Sequence, residues 1–472
     1  MSSTNSTPTE LREGAADLFP LRLSPFERYM LQDDSRSYPM SFVLIVNLTG
    51  NLVREAFEQA MLFAVKRHPL LMSLVGRIPG NGLCWIPLEN PVPEIDWREE
   101  AHPPQDRVQE RINLTREAGV RARVDRINES ADVLFEFHHA CTDGLGGIQF
   151  IGDLLARYAQ LTAPEGAELP EMEEVHVDRL RLRTNFLTTE SEQPSKSVSS
   201  PFLVGRRLWK LLWRKPVSLV SGRQKSTGTP LAFPAMISRI IAKVELQELK
   251  VAAAKRAVEL NDLYMGEMFQ TIREWHRSQG RDLRKEWLRI GMPTSLRTPL
   301  HDGMPAANVV SYMFLTRRAE ECDHPEELLA GIHRQTSRIV NERLGQIAAS
   351  ILKYVQLIPG LMWCLLRLNS CFCTAVLANV GEIRRQFKVR FPLNHGRCVA
   401  GNVILEAVMG SPPVRPNTRL TISLGTYGGR LFINLHCDPL CFSREQAEQL
   451  ADLFVGRLRQ ISSTVSLESK AA

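Results

Sequence analysis

The sequence predicts an α/β (α+β) fold made of two halves, each a mixed sheet flanked by helices. Three observations predict it. The chain has 472 residues, beyond the roughly 250–300 at which a single hydrophobic core stops growing. Apolar residues make up 44% and charged residues 23%, so most of the chain can bury a core. Strand-like and helix-like patterns alternate on both sides of one stretch that has neither, LTTESEQPSKSVSSP from Leu187 to Pro201. A segment rich in Ser, Thr, Glu and Pro with no apolar period reads as a linker or loop. The expected organisation is a disordered polar leader over 1–20, a first half over 21–161, a linker over 162–233 and a second half over 234–472.

In chain order, LSPFERYMLQDD opens the ordered region, and SFVLIVNLTG reads as a strand turning at Gly50. Val53, Phe57, Ala60, Met61 and Ala64 recur at helical spacing, so Val53 to Arg67 is an amphipathic helix. It stops at His68-Pro69, because proline disfavours helical geometry in the residue before it. ADVLFEFHH alternates as a strand, with Val133, Phe135, Phe137 and His139 on one face and His138 on the other. Ile148, Ile151, Leu154, Leu155 and Tyr158 restore helical spacing, so Asp143 and the glycines sit at a strand-to-helix junction. In the second half MISRIIAKV, LRIGMPTSLR, NVVSYMFL, TAVLANVG, LTISLGTYGG and LFINLHC read as strands. Helices are expected from about Glu245, around NDLYMGEMFQTIREWHR, over about Pro325 to Leu344, and at the close in SREQAEQLADLFVGRLRQI.

The chemistry concentrates in HHACTDG. A neutral imidazole is the side chain best suited to take and return a proton near neutral pH. At the end of a strand its ring is held by the sheet, and a neighbouring glycine turn leaves room for a substrate. His139 has that setting; the alternative is a structural histidine hydrogen-bonded at a strand end. Asp143 also suits an N-cap of the following helix.

HHACTDG resembles the HHxxxDG motif of the acyltransferase superfamily that includes chloramphenicol acetyltransferase, the condensation domains of non-ribosomal peptide synthetases, alcohol acetyltransferases, polyketide-associated acyltransferases and wax ester synthases. His138, His139, Asp143 and Gly144 fill its four fixed positions and are the candidate catalytic set. EAFEQAMLFAVKRHPLLMS resembles the family's opening helix and RHP-like turn, MPTSLR ending at Arg297 its P-x-x-x-R strand, and ANVG from Ala378 to Gly381 its SNxG strand. These stretches follow the family's order and span about residues 21–460. There are departures: no DFGWG motif is present, and PLRLSPFE does not match the PLW of wax ester synthases.

The resemblance implies two chloramphenicol-acetyltransferase-like halves with a tunnel between them. It implies that His139 deprotonates a hydroxyl or amine acceptor, lipid-like or otherwise hydrophobic, which then attacks an acyl thioester. The donor would be acyl-CoA or acyl-phosphopantetheine on an acyl-carrier protein, with no tightly bound cofactor and no metal. Asp143 would pair with Arg297, His138 would pack, Gly144 would admit the thioester, and Asn379 would either donate to the developing oxyanion or serve a structural role at its strand end. A non-catalytic relative that binds a carrier protein or a lipid in the same tunnel is the alternative.

Net charge is +6, too mild to suggest nucleic acid. Between Pro201 and Lys225 lie seven basic residues and no acidic one, so the basic excess resides there. Arg206, Arg207, Lys210 and Arg214 fall on one helical face, with Trp209 and Trp213 flanking the apolar one. Two readings stay open: a helix lying on an anionic membrane surface, or one packed on the domain with a solvated basic face. YVQLIPGLMWCLL, from Tyr354 to Leu366, is too short and broken for the about 20 apolar residues of a membrane span. It reads as a core helix or the wall of an acyl pocket. Nine cysteines without a CxxC pair, and no signal-like start, suggest a reducing cytoplasm, with peripheral membrane association if the basic helix docks; a monomer is expected. His436, Cys437 and Cys441 lack a fourth ligand at a finger-like spacing.

Overall fold

The computed structural model describes residues 18–89, 92–99, 110–186, 209, 213–220, 229, 231–368 and 370–471. Residues 1–17 of the expected leader, the stretch 187–200 and the basic side chains Arg206, Arg207 and Lys210 lie outside the described residues, while Leu18, at the leader's end, is buried in the first core.

Two sheets organise the chain. The first has seven strands: β1 (Ser41–Thr49), β2 (Glu94–Arg98), β3 (Val120–Ile127), β4 (Ser130–His138), β9 (Leu393–Asn394), β10 (Arg397–Ala400) and β11 (Val403–Ser411), in the order β9-β10-β11-β1-β4-β3-β2. The second has six: β5 (Met236–Ile241), β6 (Trp287–Ser295), β7 (Val310–Arg318), β8 (Ala375–Glu382), β12 (Leu420–Tyr427) and β13 (Arg430–Cys437), in the order β7-β6-β8-β12-β13-β5. The sheets do not follow the chain's halves. Residues 393–411, late in the sequence, complete the first sheet through β11, which pairs antiparallel with β1 from Ile404 opposite Thr49 to Ser411 opposite Val43.

The apolar periods explain the layers. Helices α2 (Arg54–Arg67) and α3 (Gly144–Thr162) bury Phe57, Ala60, Met61 and Ile148, Ile151, Leu155 in the core of the first sheet, together with Phe135 and Phe137 of β4. Helices α4 (Lys243–Lys255), α5 (Leu260–Ser278) and α9 (Arg444–Ala471) bury Leu246, Leu249, Phe269, Ile272, Leu450 and Phe454 with the second sheet. Helix α1 (Pro25–Asp33) starts at a capping box in which Ser24 and Glu27 satisfy each other's backbone N–H groups.

Beyond α6 (Pro325–Asn341), the apolar stretch read from sequence is two helices, α7 (Leu344–Leu357) and α8 (Leu361–Arg367), bent 110° from one another around Pro359-Gly360. Gly360 takes φ 78° at the start of α8, the left-handed geometry a glycine adopts without penalty. Among the described residues no single helix is long and apolar enough to cross a membrane.

Candidate active site

Strand β4 delivers the two histidines. β1 and β4 pair antiparallel with Ser41 opposite His138, and the Met40 carbonyl accepts the His139 backbone N–H at 2.7 Å. The strand ends there, the chain turns through Ala140–Thr142, and Asp143 caps α3 by accepting the Gly146 N–H at 2.9 Å. The capping and pairing expectations for Asp143 are both realised in one side chain. Arg297 donates Nη1 to Oδ2 and Nη2 to Oδ1, each at 2.8 Å, and the Val309 N–H adds 3.0 Å to Oδ2. Burial alone would raise the Asp143 carboxyl; the Arg297 guanidinium and two backbone donors more than offset it and hold the pKa low.

His138 is fully buried and has no face on the cavity. Its Nδ1 accepts the Ala140 N–H at 3.1 Å, which puts the proton on Nε2, 3.5 Å from Asp34 Oδ2. Asp34 also accepts the Met40 N–H at 3.0 Å and pairs with Arg111, so His138 locks the loop that precedes β1.

His139 is 8% exposed, packed edge-on by Phe42 and Phe26 with ring centroids 5.2 Å and 6.0 Å away. Burial lowers its pKa below 6.5; its own carbonyl, Asp143 and Asn308 pull the other way without prevailing. The resting ring is therefore neutral, the state a proton acceptor needs. Its Nδ1 is buried without a hydrogen-bond partner.

The strongest residue missed in the sequence is Asn308. Its Nδ2 donates to the carbonyls of His139 (2.7 Å) and Ala140 (2.8 Å), fixing the amide's orientation, while Oδ1 is buried and unpartnered. Asn308 thus presents a free acceptor beside the histidine. The whole loop 296–309 clamps the motif: besides Arg297, Asn308 and Val309, the Met304 carbonyl accepts from Gln149 at 3.0 Å and the Ala306 N–H donates to His68 Nδ1 at 2.9 Å. That last bond explains the RHP turn. His68 Nε2 lies 3.2 Å from Asp153 Oδ2, and Arg67 Nε donates to the same oxygen at 2.7 Å, so the turn ties α2, α3 and the second half together.

For Asn379 the structural of its two readings is the one the geometry gives. Asn379 is exposed, and it is not brought to His139: its amide donates to Asn261 at 3.2 Å and its oxygen accepts the Gly381 N–H at 2.9 Å. The side chain closes its own strand end, which a sequence cannot separate from an oxyanion donor. At Gly144 a Cβ would meet nothing within 4 Å, whereas at Gly146 it would collide with Thr142 Oγ1 and come 3.2 Å from the Ala307 nitrogen. Within the protein, the close approach that demands glycine is at Gly146, whereas Gly144 borders open space.

A cavity of about 1220 Å³ opens between the halves, larger than the roughly 300–1,000 Å³ typical of sites for drug-sized ligands. Phe26, Met40, Asn308 and Tyr312 line it, and α7 and α8 form the far wall; His139 itself is not among the lining residues and sits behind Phe26, which packs on its ring, and Asn308, which holds its carbonyl. None of His138, His139, Asp143 and Gly144 lines it directly. Elsewhere, His436 donates Nδ1–H to the Pro412 carbonyl at 2.9 Å, and among the described residues no group of three His, Cys, Asp or Glu could hold a metal ion.

No family model matches the sequence. Two uncharacterized proteins of Mycobacterium tuberculosis, from strains H37Rv and CDC 1551, are each 24% identical over 331 residues, covering 66% of this chain and 71% of theirs. Among solved structures the chain superposes on the first condensation domain of the calcium-dependent antibiotic synthetase in complex with a substrate analogue (TM-score 0.67, 15% identity, 93% of this chain and 96% of that one). It also superposes on polyketide synthase associated protein 5 of M. tuberculosis (TM-score 0.61, 13% identity, 94% and 98%). A third is the starter condensation domain of rhizomide synthetase in complex with C8-CoA and Leu-SNAC (TM-score 0.62, 13% identity, 95% and 96%). The fold is the condensation-domain-like, two-halved one that the motif resemblance implied.

Proposed function

We propose that this chain is a thioester-dependent O- or N-acyltransferase with His139 as its general base. The observation that carries the reading is a buried, neutral histidine one side chain behind the wall of a large, mostly apolar cavity, reached through Phe26 and Asn308, on a loop held by Arg297, Asn308 and the Val309 N–H. The acceptor's O–H or N–H proton passes to the His139 ring as its oxygen or nitrogen bonds to the thioester carbonyl carbon. The tetrahedral intermediate then collapses, the C–S bond breaks, and the thiolate recovers the proton from His139. Acyl-CoA or acyl-phosphopantetheine supplies the acyl group, and nothing else is consumed. The substrates bound in the solved condensation domain with C8-CoA and Leu-SNAC support thioesters of this class as the first donors to try.

The free Oδ1 of Asn308 is suited to accept a hydrogen bond from an acceptor amine or a pantetheine amide N–H. The apolar lining from Phe26, Met40, Tyr312, Ile351 and Val355 favours a lipid-like acyl chain or acceptor. Asp143 and Arg297 take no part in proton transfer, since their charges neutralise each other behind the loop. The experiment is thiol release from a panel of acyl-CoA and acyl-pantetheine donors with long-chain alcohols and amines as acceptors. Turnover that needs both substrates supports the reading; ligand binding without turnover for every pair would favour the non-catalytic alternative.

A further inference from the structure

We propose that the bent pair α7–α8 is a docking element for an anionic lipid bilayer, and that it opens the cavity toward that surface. The pair has two differently used faces. Inward, Ile351, Val355, Met362 and Leu365 line the cavity. Outward, at and after the bend, Ile358 is 57% exposed, Trp363 55% and Leu368 48%, while Leu357, 67% exposed, sits at the cavity rim. Exposed large apolar side chains thus recur around the bend between Leu357 and Leu368, as they do on an interaction face.

Charge and aromatic content identify the partner. From Leu344 to Thr374 the sequence contains no acidic residue, while Lys353 and Arg367 are exposed at either side of the bend. Arg367 stacks over Trp363, its guanidinium carbon 4.2 Å from the ring centroid. A pair of exposed aromatics lies on the segment that leads into Arg214. One guanidinium, Arg289, donates to the carbonyls of Phe372, just after α8, and of Arg214. Trp213 precedes Arg214 and packs edge-on against Trp209 at 4.4 Å, both being exposed. Tryptophan and basic side chains ringing an apolar tip fit the interface of an anionic bilayer better than a protein groove. The inner ends of the pair reach the site: Gln356 donates to the Pro25 carbonyl at 2.6 Å at the start of α1, and Phe26, next in α1, packs on His139. A lipid-like substrate leaving the bilayer at the bend would enter the cavity without crossing water. The delivery role rests on the acyl-transfer reading; the docking does not.

The test is flotation of the full-length protein with phosphatidylcholine vesicles, with and without phosphatidylglycerol, at about 0.1 M and about 1 M salt. Wild type should float with the anionic vesicles, more at low salt. A variant carrying Ile358→Asn, Trp363→Ser and Leu368→Asn should lose about tenfold or more in partitioning. Lys353→Gln with Arg367→Gln should abolish the preference for anionic lipid, and Val244→Asn, at an exposed apolar position on α4, should change nothing. Melting temperatures of all variants check folding. Equal flotation of wild type and the triple variant overturns the proposal. So does sedimentation showing that the same face instead joins two copies of the chain. Turnover separates the two claims. If docking holds, the triple variant loses activity toward a bilayer-embedded acceptor and keeps it toward a water-soluble one. A protein that floats as expected but turns over nothing would leave docking standing and remove the acyltransferase.

Discussion

At the level of single residues, the site divides labour between groups that look alike in sequence. His138 and His139 are adjacent, yet one is spent on Ala140 and Asp34 while the other faces the cavity wall through Phe26 and Asn308. Burial depresses the His139 pKa below 6.5, so the neutral base persists as pH falls past the ordinary histidine value. The expected kcat/KM profile has its acidic limb below pH 6.5, and a limb above that value would contradict a buried, desolvated base. Asp143 gives a different expectation. Removing one partner of a buried ion pair typically costs about 3–5 kcal/mol by stranding the other charge. Arg297 retains some access to water, its side chain being 24% exposed, so Asp143→Ala should sit near the lower end. The check is chemical denaturation of Asp143→Ala and Arg297→Ala singly and together. If the two are coupled as the geometry requires, the double variant is destabilised far less than the sum.

Elements were legible where a period or a breaker spoke for them. The helices α2 and α3, the strands β1 and β4 and the stop at His68-Pro69 follow from apolar spacing and proline sterics, and the structure adds only end positions. The pairing of Asp143 with Arg297 was legible only through the motif, because 154 residues separate them. Asn308 was not legible: it begins a strand-like run, and nothing local marks an amide that will hold two carbonyls 168 and 169 residues away. Asn379 shows the reverse, a motif-like residue whose structural reading holds because its side chain satisfies its own turn. Gly146 shows how the helix start is built. A methyl added there would collide with Thr142 Oγ1, and the Ala307 backbone lies behind it, so Gly146→Ala must push the loop 296–309 off the motif. Overpacking of this kind costs typically about 1–3 kcal/mol. Gly144→Ala, with open space around it, should cost less than Gly146→Ala by thermal melting; the opposite order would mean that the clamp is not where the structure has it.

At the scale of the whole molecule, the halves are interlocked and not merely apposed. β11 completes the first sheet beside β1, and loop 296–309 belongs to the first core. Residues 21–161 expressed alone should therefore fail to fold cooperatively, with β1 left as an open apolar edge; a sharp melting transition for that fragment would contradict the interlock. Buried histidines shape the response to acid. His68, His139, His276, His301 and His436 all have pKa values pushed down by burial, His276 to about 4. Between pH 6.5 and those lowered values the unfolded chain binds more protons than the folded one, so stability falls as pH falls through that window. His276 alone, with both ring nitrogens buried and unpartnered, should contribute about 3 kcal/mol of this loss by pH 4. Urea unfolding between pH 8 and pH 5 should show a declining midpoint below pH 6.5, and His276→Leu should flatten part of it.

The central claim is that His139 takes the acceptor's proton. The most direct measurement is single-turnover thiol release from an acyl-CoA donor for wild type and His139→Gln, with melting temperatures alongside, because the ring is packed by Phe26 and Phe42 and its loss also touches stability. A positioned base contributes roughly 10²–10⁴-fold. The expected result is a fall of that size for a variant that still melts cooperatively; a folded His139→Gln enzyme turning over at the wild-type rate would contradict the claim.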